Sequence, residues 1–87
     1  MVEGITSSGF AFKLEDEVLD DYELLEALVD IDGGNASKVV LALRSLLGEE
    51  QYEAAKIHLK KTVGKTKTTD MVKILMEIIE AAKGKNS

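Results

Sequence analysis

The chain has no cysteine and one histidine, His58, among its 87 residues. Without thiols, neither a disulfide nor a thiolate metal site can brace the fold. No acid lies at a spacing that marks a nucleophile, base and orienting group with His58, so no enzyme activity is expected; beside apolar helical positions it reads as a surface histidine. A run of about 18 apolar residues able to cross a bilayer is also lacking. So is a basic start followed by an apolar segment, and a soluble, cytoplasmic protein without a signal peptide is expected. Bases are scarce in the first part of the chain: residues 1–35 carry ten acids against Lys13 alone, a balance of −9. Residues 36–87 carry ten bases and six acids, a balance of +4, so the net charge of −5 hides an asymmetry. Two readings follow: the halves complement each other within one fold, or the acidic half is a docking face for a basic partner.

What the chain does have is helical patterning. At about 100° per residue, Val39, Val40, Leu43, Leu46 and Leu47 fall on one stripe of about 120°, with Lys38, Arg44 and Ser45 off it. Gly48 can end that helix in a left-handed conformation, and Glu49 and Glu50 suit the positive amino-terminal end of the next. Tyr52, Ala55 and Leu59 then recur at three- and four-residue spacing, so the second run can fold back on the first. Earlier, Asp20 or Asp21 is placed to cap a helix reaching about Ile31. Leu24, Leu25, Leu28, Val29 and Ile31 take one side of it, and Glu23, Glu26 and Asp30 line the other. Like charges so spaced repel by a few tenths of a kcal/mol, which Lys60, Lys61, Lys65 and Lys67 or a cationic partner would relieve. Asp32, Gly33, Gly34 and Asn35 make the turn to the next helix. Thr69 is the expected cap of the last one, and Lys83 with Gly84 its close.

These elements predict an all-α fold, a small bundle of about four helices with a short N-terminal extended segment. Residues 1–9, rich in glycine, serine and threonine, read as a flexible arm, residues 10–84 as a single helical domain and residues 85–87 as a frayed tail. Phe10, Phe12 and Leu14 alternate with Ala11 and Lys13 as in a half-buried strand; they could pair with the arm or with another copy, but an extended segment packed on the helices is favoured. At this length roughly 60% of the unfolded surface is buried, and total stability is roughly 4 to 13 kcal/mol.

Several motifs fail on inspection. A calcium loop starting at Asp30 has Asp32 in third place but Gly34 in fifth, Asn35 where glycine is needed and Leu41 where the bidentate glutamate belongs. Gly64, Lys65 and Thr66 end like a phosphate-binding loop, yet Leu59 stands at its first glycine and a helix precedes it. A helix-turn-helix about Gly48 would bring Glu49 and Glu50 to the phosphates. An acyl carrier protein needs its modified serine between aspartate and leucine, and Ala36-Ser37-Lys38 has neither neighbour. No metal, cofactor, nucleic acid, membrane or small-molecule substrate is therefore expected.

The last helix has more apolar surface than one stripe requires. From Met71 to Ala82 it covers an arc of about 220°, leaving Lys73, Glu77, Glu80 and Lys83 as its wet side. It is either the central helix of the bundle, the favoured reading, or in part a surface awaiting a partner. Leu41 is a second surplus residue, on the polar side of its helix, and unbranched methionines suit a surface that repacks. Leu41, Met71 and Met76 are thus candidate partner contacts, with Glu23, Glu26 and Asp30 as the candidate acidic face.

The segments DDYELLEALVDID (Asp20 to Asp32), LLGEEQYEAAKIHL (Leu46 to Leu59) and MVKILMEIIEAAK (Met71 to Lys83) together resemble the short acidic tail assembly chaperones of long-tailed, siphovirus-type phages and prophages. The resemblance covers roughly residues 9 to 83; the KKTVGKTKTT loop is more basic than that family suggests. It implies a non-catalytic protein of the host bacterial cytoplasm that coats the tape measure protein, keeps it soluble and helps recruit the tail tube protein, often beside a longer frameshifted product. It carries no motif that assigns interface residues. A small acidic regulatory or adaptor domain would share the same build, and self-association would use the same apolar surplus.

Overall fold

The computed structural model describes residues 1–85. Its first element is a hairpin: Val2–Ile5 (β1) pairs antiparallel with Ala11–Leu14 (β2), with Val2 opposite Leu14 and Gly4 opposite Phe12. Alternation turns Phe12 and Leu14 inward, where both are buried, and leaves Ala11 and Lys13 outside. Gly4 makes room for the Phe12 ring, whose Cζ lies 2.7 Å from where a β-carbon at position 4 would stand. In the connecting turn the buried Thr6 gives its amide to the Phe10 carbonyl (2.9 Å), and its hydroxyl oxygen accepts the Phe10 amide (3.1 Å). The expected flexible arm is thus half of a hairpin. Its glycine, serine and threonine serve as turn and close-packing residues, a use that composition does not distinguish from disorder.

At Lys13 the outer edge of β2 is paired by a side chain. The Gln51 amide accepts the Lys13 backbone N–H (2.7 Å) and donates to the Lys13 carbonyl (2.7 Å) and the Leu47 carbonyl (2.9 Å). That is the pairing a third strand would offer, and it blunts an edge that could otherwise recruit another chain.

Three helices follow: Tyr22–Asp32 (α1), Val39–Val63 (α2) and Thr68–Lys85 (α3). Asp21 caps α1, its carboxylate accepting the amides of Glu23 (2.9 Å) and Leu24 (3.3 Å). The expected four helices become three because the chain runs on through Gly48, but Gly48 itself is not helical (φ 81, ψ 164). The break has a purpose visible in the pattern. On one unbroken helix, Val39, Ala42, Leu43, Leu46 and Leu47 would centre about 180° from Tyr52, Ala55 and Leu59. All eight are buried, so the backbone must turn the second stripe round to meet the first. Across the break Arg44 pairs with Glu49 (3.2 Å) and lies over the Tyr52 ring (4.9 Å to its centroid).

Helix α3 starts at Thr68, so Thr69 lies inside its first turn rather than capping it, and it continues past Gly84 to Lys85. Residues 86 and 87, the rest of the expected frayed tail, lie outside the described residues. Met71, Ile74, Leu75, Ile78, Ile79 and Ala82 are all buried, but the central helix is α2 rather than the expected α3, which leaves Met76 half exposed. Helices α1 and α3 each pack on α2; β1 also rests on α3, and β2 on α2.

Candidate functional site

Because α1 and α3 both lean on α2, a channel opens between them. Viewed down α1, the buried Leu24 and Ala27 mark the core-facing side, and the half-buried Leu28 and Ile31 border it. Continuing round the helix come Leu25 and Val29, which lie outside the core at 52% and 61% exposure. They face Met76 of α3, which is 47% exposed. Leu28 and Ile79 line the floor, Asp32 and Lys83 also line the groove, and its volume is about 450 Å³.

Beyond the apolar stripe, α1 turns acidic. With Tyr22 as zero, Leu25 and Val29 stand near 300° and 340°, and Glu26, Asp30 and Glu23 at about 40°, 80° and 100°. The ridge of carboxylates therefore borders the apolar strip on its outer side. None of the five ion pairs among the described residues involves Glu23, Glu26 or Asp30, and none involves Lys60, Lys61, Lys65 or Lys67. The internal relief expected from those lysines is thus not made by ion pairing. Lysines 60 and 61 belong to the end of α2, and 65 and 67 to the loop after it.

The candidate contacts separate. Met76 lines the groove; Glu23, Glu26 and Asp30 are exposed on α1 beyond its apolar strip and are not among the lining residues. Leu41 is 41% exposed on α2 but is not among the groove's lining residues. Met71 is only 6% exposed and belongs to the core, which removes it as a partner contact. Its position one turn into α3 turns it toward the buried Val39, Leu43 and Tyr52, with which it lines a small surface cleft.

Sequence reasoning assigned Leu25 and Val29 to the core side of α1 and so missed half of the groove. A signal was present. With Ala27 counted, the apolar arc of α1 spans about 200°, nearly as wide as that of α3 and wider than a core-facing stripe requires. Two wide arcs on neighbouring helices cannot both be spent on one core in a chain of this size.

Elsewhere the polar side chains have structural work. His58 donates its Nε2–H to the Ser8 carbonyl (2.8 Å), since a carbonyl can only accept, and its ring centroid lies 6.0 Å from that of Phe10. It ties the hairpin turn to α2. The Ser7 amide donates to Glu77 Oε1 (3.0 Å) and ties the same turn to α3. Hydrogen bonding from Ser7, its hydroxyl foremost and then its amide, holds the Glu77 carboxyl below its usual range, with help from the Lys73 charge and against slight desolvation. The groove itself is lined mainly by apolar side chains, with Asp32 and Lys83 as its charged lining residues. Among the described residues no helix is long and apolar enough to cross a membrane. No protein-family model, curated protein or solved structure matches the chain.

Proposed function

We propose that the protein is a phage tail assembly chaperone that binds and solubilises the tape measure protein and assists assembly of the tail tube, without catalysis. The observation that carries this reading is the groove between α1 and α3. Its walls expose Leu25, Val29 and Met76 in a small acidic domain where such side chains could have been polar at no cost to the core. A protein that keeps a long amphipathic helix soluble has to offer apolar surface that the helix can use in place of water. The resemblance of the α1, α2 and α3 segments to short acidic tail assembly chaperones supplies the identity of the partner.

Co-expression with the tape measure protein of the same phage or prophage tests the reading. Size-exclusion chromatography with light scattering on the soluble fraction should find a complex holding many copies of this chain. If the partner stays insoluble and this protein elutes alone, the chaperone reading fails and the adaptor reading replaces it.

A further inference from the structure

We infer that the groove between α1 and α3 takes an amphipathic helix whose apolar stripe is bordered on one side by lysine or arginine. The inference rests on the reading of this groove as the partner-binding surface, and it names the partner's chemistry.

The geometry selects a helix. Tyr22, Leu25 and Val29 sit at successive three- and four-residue steps, an exposed ridge about 10 Å long at 1.5 Å per residue. Opposite them Met76, Ile79 and Lys83 follow the same kind of spacing on α3. A third helix laid between the two would present side chains at i, i+4 and i+7 to both ridges at once. It would pack against α1 and α3 together, each of which leans on α2.

Charge selects which helix. On the α1 side, Asp32 lines the groove itself and Glu26, Asp30 and Glu23 follow round the helix beyond the apolar strip, and none of the ion pairs among the described residues engages any of the four. On the α3 side, Glu80 and Lys83 pair with each other (4.0 Å) and leave little net field. A helix in the groove therefore meets negative charge along one flank and near neutrality along the other. Basic residues on the α1-facing flank would relieve the repulsion among the three carboxylates as well as pair with them, whereas acidic residues there would extend it.

The test uses two labelled synthetic helices with one shared apolar stripe, bordered by lysine in one and by glutamate in the other, titrated with the full chain and followed by fluorescence anisotropy. The lysine-bordered helix should bind about tenfold more tightly, the product of three exposed charge contacts of modest size. The Glu26→Lys/Asp30→Lys double variant should reverse that order, and Val29→Asp should abolish binding of both. All three substitutions are at exposed positions, so circular dichroism should report an unchanged fold. Equal binding of the two helices, or binding that survives Val29→Asp, overturns the inference. Val29-dependent self-association of the chain without peptide also overturns it, because the occupant is then a second copy. If tight, charge-selective peptide binding accompanies failure to solubilise the tape measure protein, the chaperone reading falls and this inference stands. The converse result leaves the chaperone and removes the groove.

Discussion

Replacing Gly48 by alanine should destabilise the protein, and the sign of the effect is the point. Gly48 holds φ 81 and ψ 164 within a run that is otherwise helical on both sides. That region is open essentially to glycine alone, and a residue with a β-carbon is strained there by about 1 to 3 kcal/mol. Beyond the neighbouring backbone no atom lies within 4 Å of where the new β-carbon would sit, so tertiary collision adds nothing and the strain is local to the backbone. The chain cannot escape by straightening, because a continuous α2 would carry the buried Tyr52, Ala55 and Leu59 about half a turn away from the core. A loss of about 1 to 3 kcal/mol is therefore expected from urea unfolding followed by circular dichroism, with an unchanged dependence on denaturant. Against a total of roughly 4 to 13 kcal/mol this is easily measured. If instead α2 were one regular helix, alanine would be the better helix former by about 1 kcal/mol and the variant would gain stability. A gain refutes the broken-helix account.

Gly4→Ala should cost about 1 to 3 kcal/mol by the same assay, because at 2.7 Å from the new β-carbon the buried Phe12 ring has to shift within the core; a neutral result would mean the ring does not lie over β1. Gln51→Ala should cost about 1 kcal/mol and speed hydrogen exchange at the Lys13 amide, its acceptor at 2.7 Å being lost; unchanged exchange would show that the edge of β2 is protected by something else. The Ser7–Glu77 link should be pH-sensitive in one direction. Because the carboxyl is held below its usual range, its contribution is fully present above the ordinary carboxylate pKa and is lost as pH falls through the lowered value. Glu77→Gln should therefore flatten part of the stability decline as pH falls below the ordinary carboxylate range while the parent chain keeps it, and parallel curves would remove Glu77 from that account.

The helices were legible because their signals are local. A cap at Asp20 or Asp21, Gly48 as interruption and the buried set Leu43, Leu46, Tyr52 and Leu59 all follow from spacing within one or two turns, and the structure selects Asp21 as the cap. The hairpin was not, since β1 is specified by what lies opposite it: Gly4 matters because Phe12 faces it, and Thr6 because Phe10 returns to it. Composition alone makes those residues look like a solvated arm. Met71 and Met76 show the same limit at the site. Both lie on the broad apolar arc of α3, five residues apart, and only the placement of α1 and α2 decides that one is core and the other faces a groove. The acidic face was readable as a face; that it borders an apolar strip followed only from the packing of α1 on α2, which takes Leu24 and Ala27 and leaves Leu25 and Val29 out.

The most direct test of the groove as the working surface is hydrogen–deuterium exchange on the complex formed with the tape measure protein. The account predicts new protection confined to α1 from Tyr22 to Asp32 and to the Met76 to Lys83 stretch of α3, with the hairpin and the Leu41 turn of α2 unchanged. Protection centred on Leu41 or on the hairpin, with α1 exchanging as in the free protein, contradicts it.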